Sequence, residues 1–119
     1  MAKILVADDE EAVRTFVARA LVHHGHEVET VCDGAQALAS MAEEQYDLLL
    51  TDIVMPVMDG IALALKATKE FPDLKILLMT GYAMEIDRAH NLDDLIHKII
   101  AKPFTLTEIC DIVEDALNP

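Results

Sequence analysis

The chain has 119 residues, 53% of them hydrophobic, and carries nine Lys and Arg against 22 Asp and Glu, a formal net charge of −13. That length fits one domain able to bury a core, and that charge excludes a binding face for a nucleic-acid backbone or an anionic membrane surface. No apolar run reaches the length of a membrane span, and the apolar start is too short for a signal peptide. The expectation is a soluble, cytoplasmic chain whose residues 1–119 form a single domain, with no room for a second, DNA-binding one. Cys32 and Cys110 make neither a disulfide framework nor a metal-spaced cluster; each reads as a small buried hydrophobe.

Ile4-Leu5-Val6-Ala7 reads as a buried strand. Val13, Phe16, Val17, Ala20 and Leu21 then recur at helical spacing, with Gly25 placed to end the helix. Glu27-Val28-Glu29-Thr30-Val31 is a second strand, and residues 35–44 form a helix of small residues with Leu38, Met41 and Ala42 on one face. Leu48-Leu49-Leu50 is a third strand, and Asp59 caps a helix running through Lys69. Phe71-Pro72-Asp73 breaks the chain before a fourth strand, Ile76-Leu77-Leu78-Met79. The stretch 84–95 holds Glu85, Asp87, Asn91, Asp93 and Asp94 and few large apolar residues, so a short or frayed helix is expected there. A fifth strand spans 96–100. Thr105 caps a last helix whose buried stripe is Leu106, Ile109, Ile112, Val113 and Leu117.

Five strands alternating with five helices define an α/β fold, a (βα)5 doubly wound parallel sheet. Strands one, three and four are apolar throughout, as strands covered on both faces are. Strands two and five carry charge, as edge strands do. The order 2-1-3-4-5 satisfies both conditions.

Polar residues break the pattern at four equivalent places. Asp8-Asp9 follows strand one, Asp52 follows strand three after Thr51, Thr80-Gly81 follows strand four and Lys102-Pro103 follows strand five. In a parallel sheet all four lie at the carboxyl edge, and the crevice where strand order reverses lies between strands one and three. Asp8, Asp9 and Asp52 should meet there. Three carboxylates share a crevice by raising a pKa or by binding a cation. Oxygen ligands without His or Cys select Mg²⁺ or Mn²⁺ over zinc. Lys102 and Thr80 supply an ammonium and a hydroxyl suited to phosphoryl oxygens, and a carboxylate there can serve as nucleophile. Each motif alone reads as ordinary structure: Asp8-Asp9 as a helix cap, Thr80-Gly81 as a turn, Lys102-Pro103 as a loop start. Their joint placement favours the chemical reading. His23, His24, His26, His90 and His97 show no ligand spacing.

The runs Ile4-Leu5-Val6-Ala7-Asp8-Asp9-Glu10, Thr51-Asp52-Ile53-Val54-Met55-Pro56-Val57-Met58-Asp59-Gly60, Met79-Thr80-Gly81 and Lys102-Pro103-Phe104 resemble the response-regulator receiver domain, a flavodoxin-like fold. The resemblance implies that Asp52 accepts a phosphoryl group from a histidine kinase or histidine phosphotransfer protein. It implies that Asp9 binds Mg²⁺ directly and Asp8 largely through water, with Asp52 and the Val54 carbonyl completing the protein ligands. Thr80 and Lys102 would contact the phosphoryl oxygens, and the Lys102–Pro103 bond would be cis. Three departures stand out. Ile99 takes the place of the family's switch aromatic. Gly81 replaces the usual alanine and is followed by Tyr82, which could take over the aromatic's part or shield the phosphoryl group. The glycine–alanine pair before strand five is absent from Leu92-Asp93-Asp94-Leu95. These departures resemble stand-alone alphaproteobacterial receivers that time ClpXP proteolysis in the cell cycle, which implies ClpXP or its substrates as the protein target.

Competing readings fare worse. A phosphatase with an aspartate nucleophile needs an acid/base Asp two residues on, where Val54 stands. A flavodoxin needs a phosphate-cradling loop where Asp8-Asp9-Glu10-Glu11 would repel phosphate. The expectation is therefore a phosphoacceptor switch rather than an enzyme, either a terminal adaptor or an intermediate carrier in a phosphorelay. Apolar Val54 and bulky Tyr82 flank the expected path of attacking water and should slow loss of the phosphoryl group.

Overall fold

The computed structural model describes residues 2–81 and 98–118. Five parallel strands, β1 (Lys3–Ala7), β2 (Glu27–Val31), β3 (Leu48–Asp52), β4 (Lys75–Thr80) and β5 (Lys98–Ala101), form one sheet in the order β2-β1-β3-β4-β5. Helices α1 (Glu11–His23), α2 (Gly34–Glu43), α3 (Gly60–Glu70) and α4 (Leu106–Leu117) complete the described elements. The expected weak helix over 84–95, together with Tyr82, His90 and His97, lies outside the described residues.

Alternation along each strand divides the core into two layers. Ile4, Val6, Leu48, Leu50, Leu77, Met79 and Ile100 face Val17, Ala20 and Leu21 of α1 and Ile109, Cys110 and Val113 of α4. Leu5, Ala7, Leu49, Ile76 and Leu78 face Ala37 and Met41 of α2 and Leu63, Ala64 and Ala67 of α3. The three central strands are therefore buried on both faces, which is why they read as unbroken apolar runs. β2 is an edge strand and leaves Glu27, Glu29 and Thr30 exposed.

Helix ends follow local chemistry. α1 stops at Gly25, whose φ of 93° only glycine adopts freely. The Gly25 N–H donates to Val22 O at 2.9 Å and the His26 N–H to Leu21 O at 3.1 Å, the two bonds of a Schellman ending. Asp59 caps α3 by accepting from the Ala62 N–H at 2.8 Å, and Asp33 does the same for α2 from Gln36. Thr105 and Glu108 form a reciprocal capping box on α4.

Two expectations are corrected. Cys110 is buried but Cys32 is exposed, because it follows β2 where the chain leaves the sheet. Leu106, the first residue of α4, is exposed, and the buried stripe of that helix runs instead through Ile109, Cys110, Val113 and Ala116. His26 links two elements. Its Nδ1 accepts from the Ala2 N–H at 3.3 Å, so Nε2 carries the proton and donates to Glu114 Oε1 at 2.6 Å, tying the start of β2 to the end of α4.

Candidate functional site

The carboxyl ends of β1, β3, β4 and β5 converge as expected. Asp8 follows the last residue of β1 and is fully buried; Asp52 ends β3 and is 6% exposed. Strand pairing sets Asp52 beside Met79 and Thr80 beside Ala101, so buried Thr80 closes the same edge. The Lys102 N–H donates to Thr80 O at 2.8 Å, which anchors Lys102 to the end of β4. The Lys102–Pro103 peptide is cis.

Carboxylate oxygens of Asp8, Asp9, Glu10 and Asp52 all lie within 4.8 Å of one another. Lys102 Nζ enters this group, 2.9 Å from Asp8 Oδ2, 3.3 Å from Asp52 Oδ1 and 3.8 Å from Glu10 Oε1. Burial, followed by the adjacent Asp8 charge, pushes the Asp52 carboxyl from the usual 3.8 up to about 6, although the Lys102 charge opposes the rise. Burial also pulls the Lys102 ammonium down, but its hydrogen bond to Asp8 and the charges of Asp52 and Asp8 outweigh this and leave it above its ordinary value. An acid crevice with one internal cation is thus under-compensated. Four carboxylates in reach of one another, with no nitrogen or sulfur ligand among them, suit a hard divalent cation.

Capping of α1 by the acidic pair is met only in part. Asp8 Oδ1 accepts from the Glu10 N–H at 2.9 Å, but Glu10 itself makes no side-chain cap. Asp8 is held on every side: its N–H donates to Val31 O, Lys102 donates to Oδ2, and Arg14 Nη1 donates to its carbonyl at 2.7 Å. Glu10 and Arg14 join the site beyond its expected residues. Glu10 extends the acidic run by one residue, which is a legible signal; Arg14 contacts a backbone atom and leaves none.

The loop after β3 brings the expected Val54 to the rim, 45% exposed. Gly60 is placed there by contact. A Cβ on it would stand 2.1 Å from Asp52 O, and its N–H donates to Ile53 O at 2.7 Å. The start of α3 thus abuts the Asp52 backbone. Gly81 has no such constraint, since a Cβ would meet Lys102 Cβ at 3.9 Å, an ordinary contact. Ile99 pairs with Leu78 and packs, partly buried, against the core layer under α2 and α3.

This chain belongs to the response regulator receiver domain family, whose model matches residues 4–114. Receiver domains are phosphoacceptor switches of two-component signalling and bind Mg²⁺ at their acidic pocket. The chain is similar to the response regulator receiver protein CpdR of Brucella abortus, with 41% identity over 117 residues that cover 98% of each chain. A segment making up 13% of the sensor kinase CckA of the same organism is 34% identical over 98% of this chain. Among solved structures, the response regulator TrrA of Thermotoga maritima in complex with Mg²⁺ and BeF superimposes with a TM-score of 0.89 at 32% identity, covering 98% of this chain and 100% of that one. No helix among the described residues is long and apolar enough to cross a membrane.

Proposed function

We propose that this chain is a cytoplasmic, stand-alone response regulator in which phosphorylation of Asp52 switches protein–protein contacts. The observation that carries the reading is the meeting of Asp8, Asp52 and Lys102 in one crevice, with Asp9 and Glu10 at its mouth. Asp9 would hold Mg²⁺ (Mn²⁺ is an alternative of the same chemistry) directly and Asp8 through water, with Asp52 and the Val54 carbonyl as further ligands. The bound cation supplies charge neutralisation for the transferring phosphoryl group. A carboxylate oxygen of Asp52 attacks phosphorus in a phosphohistidine. The P–N bond breaks, the imidazole leaves and takes up a proton, and an acyl phosphate forms on Asp52. Lys102 turns its ammonium from Asp52 to a phosphoryl oxygen, and the Thr80 hydroxyl donates to another.

The donor would be a histidine kinase or phosphotransfer protein docking on α1 and the Pro103 loop. That face carries Phe16, 41% exposed, and Leu106, 46% exposed. The likeness to CpdR, together with the departures at positions 81 and 99, favours a terminal adaptor acting on ClpXP or its substrates. With Ile99 packed against the core layer where the family has its switch aromatic, output would pass by another route than the usual switch, with Tyr82 as the aromatic that could serve it. The test is labelling by a phosphodonor with Mg²⁺, comparing the parent with Asp52→Ala, then mixing labelled protein with phosphotransfer domains and with ClpXP. Label confined to the parent supports the site. Phosphorylation-sensitive binding to the protease supports the adaptor, and rapid return of label to a histidine would make the chain a relay carrier instead.

A further inference from the structure

We propose that Arg14 is a positioning residue for the acidic crevice: it fixes the Asp8–Asp9 peptide so that Asp9 faces the cation. Arg14 lies on the second turn of α1, partly buried, and its Nη1 donates to the Asp8 carbonyl at 2.7 Å. That oxygen belongs to the peptide joining Asp8 to Asp9, so the bond sets the plane from which the Asp9 side chain departs. The other fastenings of Asp8 act upstream of this peptide or on its side chain: Val31 O on its N–H, the Glu10 N–H on Oδ1 and Lys102 on Oδ2. Asp9 itself is exposed, and among the described residues its side chain makes no hydrogen bond. Its placement therefore depends on the backbone that Arg14 holds.

The proposal rests on reading the crevice as a cation site, and it makes a prediction whose sign separates it from simple electrostatics. A guanidinium near the crevice repels Mg²⁺, so removing a mere charge would tighten Mg²⁺ binding. Removing a positioning group weakens it, as loss of outer partners of metal ligands does.

The experiment is titration calorimetry with MgCl₂ at fixed ionic strength on the parent, Arg14→Met and Arg14→Lys, with metal-free melting followed by circular dichroism. Arg14→Met should bind Mg²⁺ about tenfold more weakly while its metal-free melting stays near the parent's. Arg14→Lys, which keeps the charge and one donor on a more flexible stem, should fall between the two. In phosphorylation by a small-molecule donor, the Mg²⁺ concentration for half-maximal rate should rise while the rate at saturating Mg²⁺ holds. Binding by Arg14→Met as tight as the parent's, or tighter, overturns the role of Arg14 and leaves the crevice reading intact. A parent that binds no Mg²⁺ overturns both. Should Arg14→Met fail to fold, Arg14→Lys decides by the same criterion: unaltered Mg²⁺ affinity refutes the proposal.

Discussion

Replacing Asp52 with Asn should make the metal-free protein more stable. Its carboxyl is held at about 6 instead of 3.8, chiefly by burial and then by Asp8. Each such displacement of one pH unit corresponds to about 1.4 kcal/mol, so ionised Asp52 costs the fold about 3 kcal/mol at neutral pH. The sign follows from proton counting. Between 3.8 and about 6 the folded state binds more protons at Asp52 than the unfolded state, so this group lowers stability as pH rises and the full cost is present above about 7. Asn is neutral at every pH and escapes that cost. For a domain of this size the gain is a melting temperature about 10 °C higher than the parent's at pH 7.5 in EDTA. The assay is thermal melting by circular dichroism at pH 7.5 and pH 4.5. Titration of carboxylates remote from Asp52 cancels in the difference, which should shrink to about a third at pH 4.5, where the unfolded carboxyl is still largely ionised. Mg²⁺ should then raise the parent's melting temperature more than the variant's, since a ligand that binds only the folded state stabilises it. Equal melting at pH 7.5, or a gap unchanged at pH 4.5, would refute the reasoning.

Three further outcomes follow from the loop after β3. Gly60→Ala sets a methyl 2.1 Å from the Asp52 carbonyl oxygen and 2.9 Å from Ile53 Cα, both backbone obstacles; the urea midpoint should fall by the equivalent of about 3 kcal/mol, with slower phosphorylation. Val57 is a β-branched residue with φ 68°, 81% exposed; Val57→Gly relieves that backbone and should raise stability by about 1 kcal/mol in the same assay, and a decrease would contradict it. Val54→Asn puts a polar group on the rim of the crevice where the parent has an apolar one. Decay of the acyl phosphate, followed by loss of label, should quicken; an unchanged half-life would remove Val54 from control of water.

The sheet was legible because its chemistry is local. Leu48, Leu49 and Leu50 announce a strand covered on both faces, Glu27 and Glu29 announce an edge, and once the order of strands follows, Asp8, Asp52, Thr80 and Lys102 can only lie at one rim. Caps at Asp59 and Thr105 and the turn at Gly25 are likewise written in neighbouring residues. What escaped is what depends on distant partners. Arg14 serves a carbonyl, which has no letter of its own, and His26 is committed by Glu114, 88 positions away. The apolar spacing of α4 includes Leu106, but which of its turns is covered is a matter of tertiary geometry. Gly60 reads as the ordinary start of a helix, and only coordinates reveal the backbone lying against it.

The bond between Lys102 and Asp8 spans 94 positions of chain. As the polypeptide leaves the ribosome, the acidic residues are made early and the ammonium that quiets them is made near the end. Until β5 zips onto β4, the rim holds mutually repelling anions without their internal counter-ion. Docking of the final strand and electrical completion of the crevice are therefore a single event, and a nascent chain halted before Lys98 lacks both.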